Sequence, residues 1–238
     1  MQIKLDAHTH TLASGHAYST ILENVQAAAQ KGLSLLAITE HAPCMSDAPP
    51  MTYFNNYRRL DKVICGVEML YGVEVDITDF DGNLSMEQRM LDKMDVGIVS
   101  FHETICLAGS RAENTRAFLG AMQVPGISII GHPDDGRIPL DYEALVLEAK
   151  RVGVLFEVNN SSLDPSHHRQ NAWENYRILL ALCERHGAMV VLGSDAHFAP
   201  AVGSFDRALA LLEEVKFPEE LVINTDPEGF KKMLRKRK

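Results

Sequence analysis

The sequence contains no run of about 18 uninterrupted apolar residues, the length a helix needs to cross a bilayer. Its start lacks a charged segment followed by an apolar stretch and a small-residue cleavage site. These absences predict a soluble, cytoplasmic protein without a membrane partner. The four cysteines, Cys44, Cys65, Cys106 and Cys183, form no CxxC pair, which argues against a thiolate zinc knuckle or a disulfide framework and leaves them as packing residues. Basic residues are in deficit, 23 Lys and Arg against 32 Asp and Glu for a formal charge of -9. Long nucleic acid is therefore disfavoured as a partner, although a local cation cluster can still attract small anions. The basic ending Lys231, Lys232, Arg235, Lys236, Arg237, Lys238 reads as a solvated helix end whose cations complement the helix dipole. No Ser/Gly/Pro-rich linker divides the chain, and 238 residues at 46% hydrophobic content suit one barrel-type domain over 1–238.

Short apolar runs of strand character alternate with helix-like segments, the pattern of βα units and a parallel sheet. Strands are predicted at 3–7, 35–39, 70–77, 96–100, 127–130, 154–158 and 189–192, and helices at segments including 21–31, 86–93, 141–151, 173–185 and 204–215. Residues 43–57, with Pro49-Pro50, read as a long loop over the active face. Seven units closing on themselves make a (β/α)7 barrel and an open sheet makes a doubly wound fold; spacing alone does not choose.

The histidines fall on this map with a bias. His8 and His10 end the first strand and His16 follows in its loop; His41 follows the second strand, His102 the fourth and His132 the fifth. Glu74 lies in the third strand, and Asp195 and His197 follow the seventh. Carboxyl ends of strands are where α/β barrels and open sheets build their sites. Residues i and i+2 of an extended strand project to the same side, so His8 with His10, and Asp195 with His197, can chelate. Imidazole and carboxylate without thiolate suit zinc, manganese, iron or nickel, and a carboxylate such as Glu74 can bridge two ions. Each residue alone has a structural alternative: His132 in Gly131-His132-Pro133 as a turn residue, Asp195 as a helix cap. Glu74 is the hardest to dismiss, because an unpaired carboxylate in an apolar strand costs several kcal/mol. His186, before Gly187, reads as structural, and His167 and His168 as residues of a polar loop on the active face.

With those residues placed, the chain resembles the PHP family, named for polymerase and histidinol phosphatase, and within it the YcdX-like phosphatases. The motifs are His8-Thr9-His10, Glu40-His41, Gly131-His132-Pro133 and Gly193-Ser194-Asp195-Ala196-His197, with Gly72-Val73-Glu74 and Ser100-Phe101-His102 between them. The likeness runs from Asp6 to about Phe230. It implies a distorted (β/α)7 barrel holding three divalent metal ions, zinc or a mixture with manganese or iron. By position His8, His10, Glu74 and Asp195 would hold the first, Glu74, His102 and His132 the second, and His16, His41 and His197 the third. The chain departs from its relatives at Ser166-His167-His168-Arg169, which speaks against a phosphate-clamping Arg169.

The expected reaction is hydrolysis of a small phosphorylated substrate, a phosphomonoester, by hydroxide bridging the first two cations; metals lower the pKa of water from 15.7 towards about 7. Glu74, Asp195 and His197 are the catalytic candidates, with Asp195 or a neighbouring histidine protonating the leaving alkoxide. Glu40 is expected to orient a ligand. The rivals are an amidohydrolase-type C–N hydrolase, a phosphodiesterase or exonuclease on short nucleotides, and a non-catalytic metal-stabilised module. Related proteins make self-association as a homo-oligomer an option.

Overall fold

A computed structural model of the chain describes residues 1–237. Its strands are β1 (Leu5–Asp6), β2 (Leu35–His41), β3 (Val63–Ile64), β4 (Val67–Asp76), β5 (Gly97–Ser100), β6 (Ile127–Ile130), β7 (Leu155–Asn159) and β8 (Val190–Gly193). Seven are parallel neighbours in the order β1-β2-β4-β5-β6-β7-β8, and β3 folds back antiparallel on β4. The helices are α1 (Ile21–Gln30), α2 (Met51–Asn55), α3 (Gln88–Leu91), α4 (Arg111–Ala121), α5 (Tyr142–Val152), α6 (Ala172–His186), α7 (Asp206–Glu214) and α8 (Pro227–Lys236). Among the described residues no helix is long and apolar enough to cross a membrane.

The sheet nearly closes. Between β8 and β1 the ladder shrinks to one parallel bridge, Thr9 with Ala196. Beside it the Asp195 N–H donates to the His8 carbonyl (2.9 Å) and the His10 N–H to that of Ala196 (2.9 Å). Buried Asp6 fills the seam below, its carboxylate accepting the N–H groups of Ser194 (3.0 Å) and Gly203 (2.8 Å). A side chain thus stands in for a missing strand contact, and regular β1 is shorter than the expected 3–7. The result is the distorted (β/α)7 barrel that the resemblance implied.

Alternation along the strands sorts the core into two layers. Leu5, Leu35, Ala37, Leu70, Ile98, Ile129, Leu155 and Val191 fill the lower barrel, which Phe230 and Leu234 of α8 close from beneath. Their neighbours of opposite parity, such as Leu36, Ile38, Val73, Val75, Val99 and Phe156, pack outward against the helices. Two helices start on complete capping boxes, Thr20 with Glu23 and Ser110 with Glu113.

Several expectations change. The 43–57 segment is a loop only in its first half; Pro50 opens α2, and Phe54 and Tyr57 are buried against Tyr71 because an aromatic cluster anchors the second half. The β3–β4 hairpin was not foreseen; Cys65 (φ 51°) and Gly66 (φ 79°) form the positive-φ pair that a two-residue hairpin turn requires. Of the cysteines only Cys106 and Cys183 pack inside; Cys44 and Cys65 are exposed because both lie in turns. The basic ending is solvated at Lys232, Arg235 and Lys236, whereas Arg237 turns inward. Its guanidinium donates to the carbonyls of Met122 (2.5 Å), Val124 (3.2 Å), Ile127 (2.8 Å) and Val152 (3.1 Å), satisfying acceptors of neighbouring elements. Lys238 lies outside the described residues.

Candidate metal centre

Higher in the barrel the inward positions change character. On β4, Leu70 and then Gly72, Glu74 and Asp76 share one face; on β7, Leu155 is followed by Glu157 and Asn159. Glu74, 1% exposed, is the hub. Its Oε2 lies 3.4 Å from His8 Nε2 and 3.5 Å from His10 Nε2, and its Oε1 lies 2.8 Å from His132 Nε2 and 3.7 Å from His102 Nε2. Asp195 Oδ1 is 3.6 Å and 3.3 Å from the Nε2 atoms of His8 and His10, which are themselves 3.0 Å apart. Two nitrogens bound to one tetrahedral zinc at 2.0–2.1 Å would be about 3.3–3.4 Å apart. His8, His10 and Glu74 therefore have the spacing of one coordination sphere, with Asp195 beside both imidazoles, and Glu74, His102 and His132 form a neighbouring group.

The third set is looser. His16 Nε2 is 3.0 Å from His197 Nε2, but the ring centroids of His16 and His41 are 5.0 Å apart and the His16 side chain is 40% exposed. The tight group around His41 and His197 takes His10 in place of His16. All nine sequence-predicted positions nonetheless converge at one end of the barrel.

The outward nitrogens supply the fit test. His8 Nδ1 meets Glu157 at 2.7 Å, His102 Nδ1 meets Asp76 at 2.6 Å, His16 Nδ1 meets Asp47 at 2.6 Å, and His197 Nδ1 meets the Asp195 carbonyl at 2.9 Å. An acceptor on Nδ1 fixes the tautomer that leaves the inward Nε2 with a lone pair, the arrangement that prepares imidazole for a cation. Glu74 Oε2 and His41 Nδ1 lie 2.8 Å apart, yet neither buried atom has a hydrogen-bond partner. Acceptors converging without donors fit divalent cations.

Electrostatics agrees. Burial alone would raise Glu74, but His8, His41 and His102 hold it well below the usual carboxylate range. Burial is likewise overridden at Asp195, which His8, His10 and His197 hold well below its ordinary value. Burial, with the charges of His41, His197 and His8, pushes His10 well below its ordinary value, and burial with Arg169 nearby lowers His132 to about 4. Burial alone would also lower His8 and His41, but Glu157, Asp195 and Glu74 raise His8 well above its ordinary value, and Glu74 with Asp195 raises His41. The cluster thus pairs ionised carboxylates with imidazoles of both kinds, and a cation binding there competes with the protons of His8 and His41.

Backbone strain marks the same place: His132 (φ 28°) and Asp195 (φ 53°) are non-glycine residues with positive φ. Gly193 is demanded by close approach, since a Cβ there would stand 1.9 Å from Glu157 Oε1 and 2.9 Å from His8 Cβ.

A cavity of about 450 Å³ opens over these residues. Arg169, His167 and His168 line it from the loop after β7. Despite the local departure in sequence, Arg169 is turned into the cavity, its guanidinium donating to Ser162 Oγ (2.5 Å). Glu40 accepts from Ser14 Oγ (2.6 Å) and Thr11 Oγ1, and Ser14 Oγ lies 3.4 Å from His10 Nδ1. Sequence reading missed the orienting carboxylates Glu157, Asp76 and Asp47. Asp76 and Glu157 carried a signal, an acid at an inward position of a strand; Asp47 carried none.

Residues 6–235 match the PHP domain family. The chain belongs to that family. This PHP domain is 43% identical to a probable phosphatase of Clostridium novyi (strain NT), covering 95% of this chain and 92% of the relative. It is 41% identical to a probable phosphatase of Caldanaerobacter subterraneus subsp. tengcongensis, covering 100% and 93%. Among solved structures the PHP domain resembles the histidinol phosphate phosphatase of Lactococcus lactis subsp. lactis Il1403, complexed with zinc, L-histidinol and phosphate. The TM-score is 0.61 at 19% identity, covering 90% and 94%. It also resembles a chain of an archaeal ribonuclease P with mature tRNA, with TM-score 0.60 at 14% identity and coverage of 98% and 90%. At these identities the likeness is one of fold.

Proposed function

We propose that this PHP domain is a metal-dependent phosphomonoesterase that holds three divalent cations, zinc with manganese or iron as alternatives, and hydrolyses a small phosphorylated substrate. The observation that carries the reading is the convergence of His8, His10, His102 and His132 on the two oxygens of buried Glu74. Bound cations would supply Lewis acidity for the phosphoryl oxygens and hydroxide at neutral pH. His8, His10, Glu74 and Asp195 would hold the first, Glu74, His102 and His132 the second, and His41, His197 and His16 the third. Asp195, kept ionised by its histidines, serves to hold charge and is poorly suited to donate a proton. Arg169, facing the same cavity, can receive a phosphoryl oxygen without changing its charge. Relatives of similar length named as probable phosphatases support the reaction class.

The amidohydrolase alternative relies on a bridging modified lysine, and among the described residues no lysine lines the cavity. The test is release of phosphate from a generic aryl phosphate by protein loaded with zinc or manganese and by protein stripped with chelator. Turnover that depends on metal is expected. Hydrolysis of amides or lactams with no phosphoester turned over would replace this reading.

A further inference from the structure

The cavity is larger than a phosphate group needs. About 450 Å³ is within the size range of pockets that take whole small ligands, so there is room for the alcohol side of an ester as well. Its lining is of two kinds. The histidines, Asp195 and Arg169 make one group. Met45, Phe101 just after β5, Phe118 of α4, and Ile138 and Leu140 of the β6–α5 connection make the other, all but Met45 buried side chains of the core. Phe101 directly precedes His102, and the Phe101 and Phe118 rings are 6.2 Å apart, so hydrocarbon begins within one residue of the candidate centre.

Among the lining residues Arg137 stands between two acids. Arg137 is 3.0 Å from Glu103 Oε2 and donates to both oxygens of Asp135 at 3.0 Å from Nε. Two carboxylates for one cation leave surplus negative charge in this part of the lining, which disfavours a second anionic group on a substrate. Side chains such as Phe118, Ile138 and Leu140 offer nothing to the hydroxyls of a polyol, whose desolvation would be left uncompensated.

We infer that the preferred substrate is the phosphate monoester of a compact apolar alcohol or phenol bearing no second anionic group. The inference rests on the phosphomonoesterase reading and narrows it. For fully buried hydrocarbon each methylene contributes about fourfold in affinity, so about two- to fourfold per methylene is expected in a cavity of this kind.

The experiment uses zinc-loaded protein and two probe series: n-alkyl phosphates from methyl to pentyl for kcat/KM, and the matching n-alkylphosphonates for binding by calorimetry. Both series should improve about two- to fourfold per methylene, with benzyl phosphate near the top. Glycerol phosphate and a hexose bisphosphate should be at least tenfold poorer than alkyl esters of similar size. Ile138→Ala should cost the longer members more than the shorter ones. A flat dependence on chain length, or preference for the polyol esters, would overturn the inference and leave the reaction class standing. If the phosphonates bound with the expected slope while no phosphate ester turned over, the reaction class would fall and the apolar subsite would stand. Absence of both binding and turnover would overturn both.

Discussion

The lower and upper halves of one barrel are built on the same strands and do opposite things energetically. Below, inward positions such as Leu35, Leu70, Ile98 and Val191 meet Phe230 and Leu234, and hydrocarbon leaving water stabilises the fold. Above, the same inward faces carry Glu74, Glu157 and Asp195, and stripping water from charge destabilises unless opposite charge is supplied. The upper end therefore behaves as a binding site whose cations belong to its stability, and the lower end as the part that folds the chain regardless. Four substitutions can break or sharpen that contrast.

The largest effect is expected at the hub. Glu74→Gln replaces a charged bridge with a neutral amide and should lose metal together with activity by about a thousandfold or more, since the cations supply several kcal/mol to the transition state. Metal analysis beside steady-state kinetics on an aryl phosphate reads both. A variant with full occupancy and near-parental turnover would remove Glu74 from its role.

Phe230→Ala, at the opposite end, should cost about 3–5 kcal/mol of stability because Phe230 is fully buried in the plug. Denaturant unfolding would report this, while the metal content of the folded protein stays parental. A variant that stayed stable but lost metal would show that the halves are not separable.

An intermediate effect is expected at Glu157, which meets His8 Nδ1 at 2.7 Å and also accepts the His132 N–H at 2.7 Å. Glu157→Gln should weaken metal binding about 10- to 100-fold, measured by competition with a chelator. Unchanged affinity would mean that the carboxylate only fills space.

The smallest effect is expected at the exposed edge. His16→Ala should leave about two ions bound and raise KM by up to about tenfold, because the proposed third set has no carboxylate ligand and would hold its ion most weakly. As pH falls, protons compete for these imidazoles, so this ion should also be the first lost on mild acidification. If His16→Ala emptied the whole site, the division into three sets would be wrong.

The alternation of strands and helices was legible because β2, β4, β6 and β7 are apolar runs bounded by turns, and because histidines marked their carboxyl ends. Helix α4 gave a faint signal: its buried face includes Asn114 and Thr115 beside Phe118, so apolar periodicity is weak. The β3–β4 hairpin was hidden because its turn uses Cys65 at positive φ in place of the usual Asn or Asp. Histidine and carboxylate positions are local facts of sequence, and they were readable. Asp47 reaching His16, Arg169 turning into the cavity and His10 lying close to His41 and His197 depend on how loops cross the barrel mouth, which no local pattern encodes.

The central claim is that nine residues from six strands form a centre for three cations, and metal stoichiometry of protein purified without chelators tests it most directly. More than two transition-metal equivalents per chain are expected, falling to near zero in Glu74→Gln. A parental value below one equivalent that added zinc or manganese does not restore would contradict it.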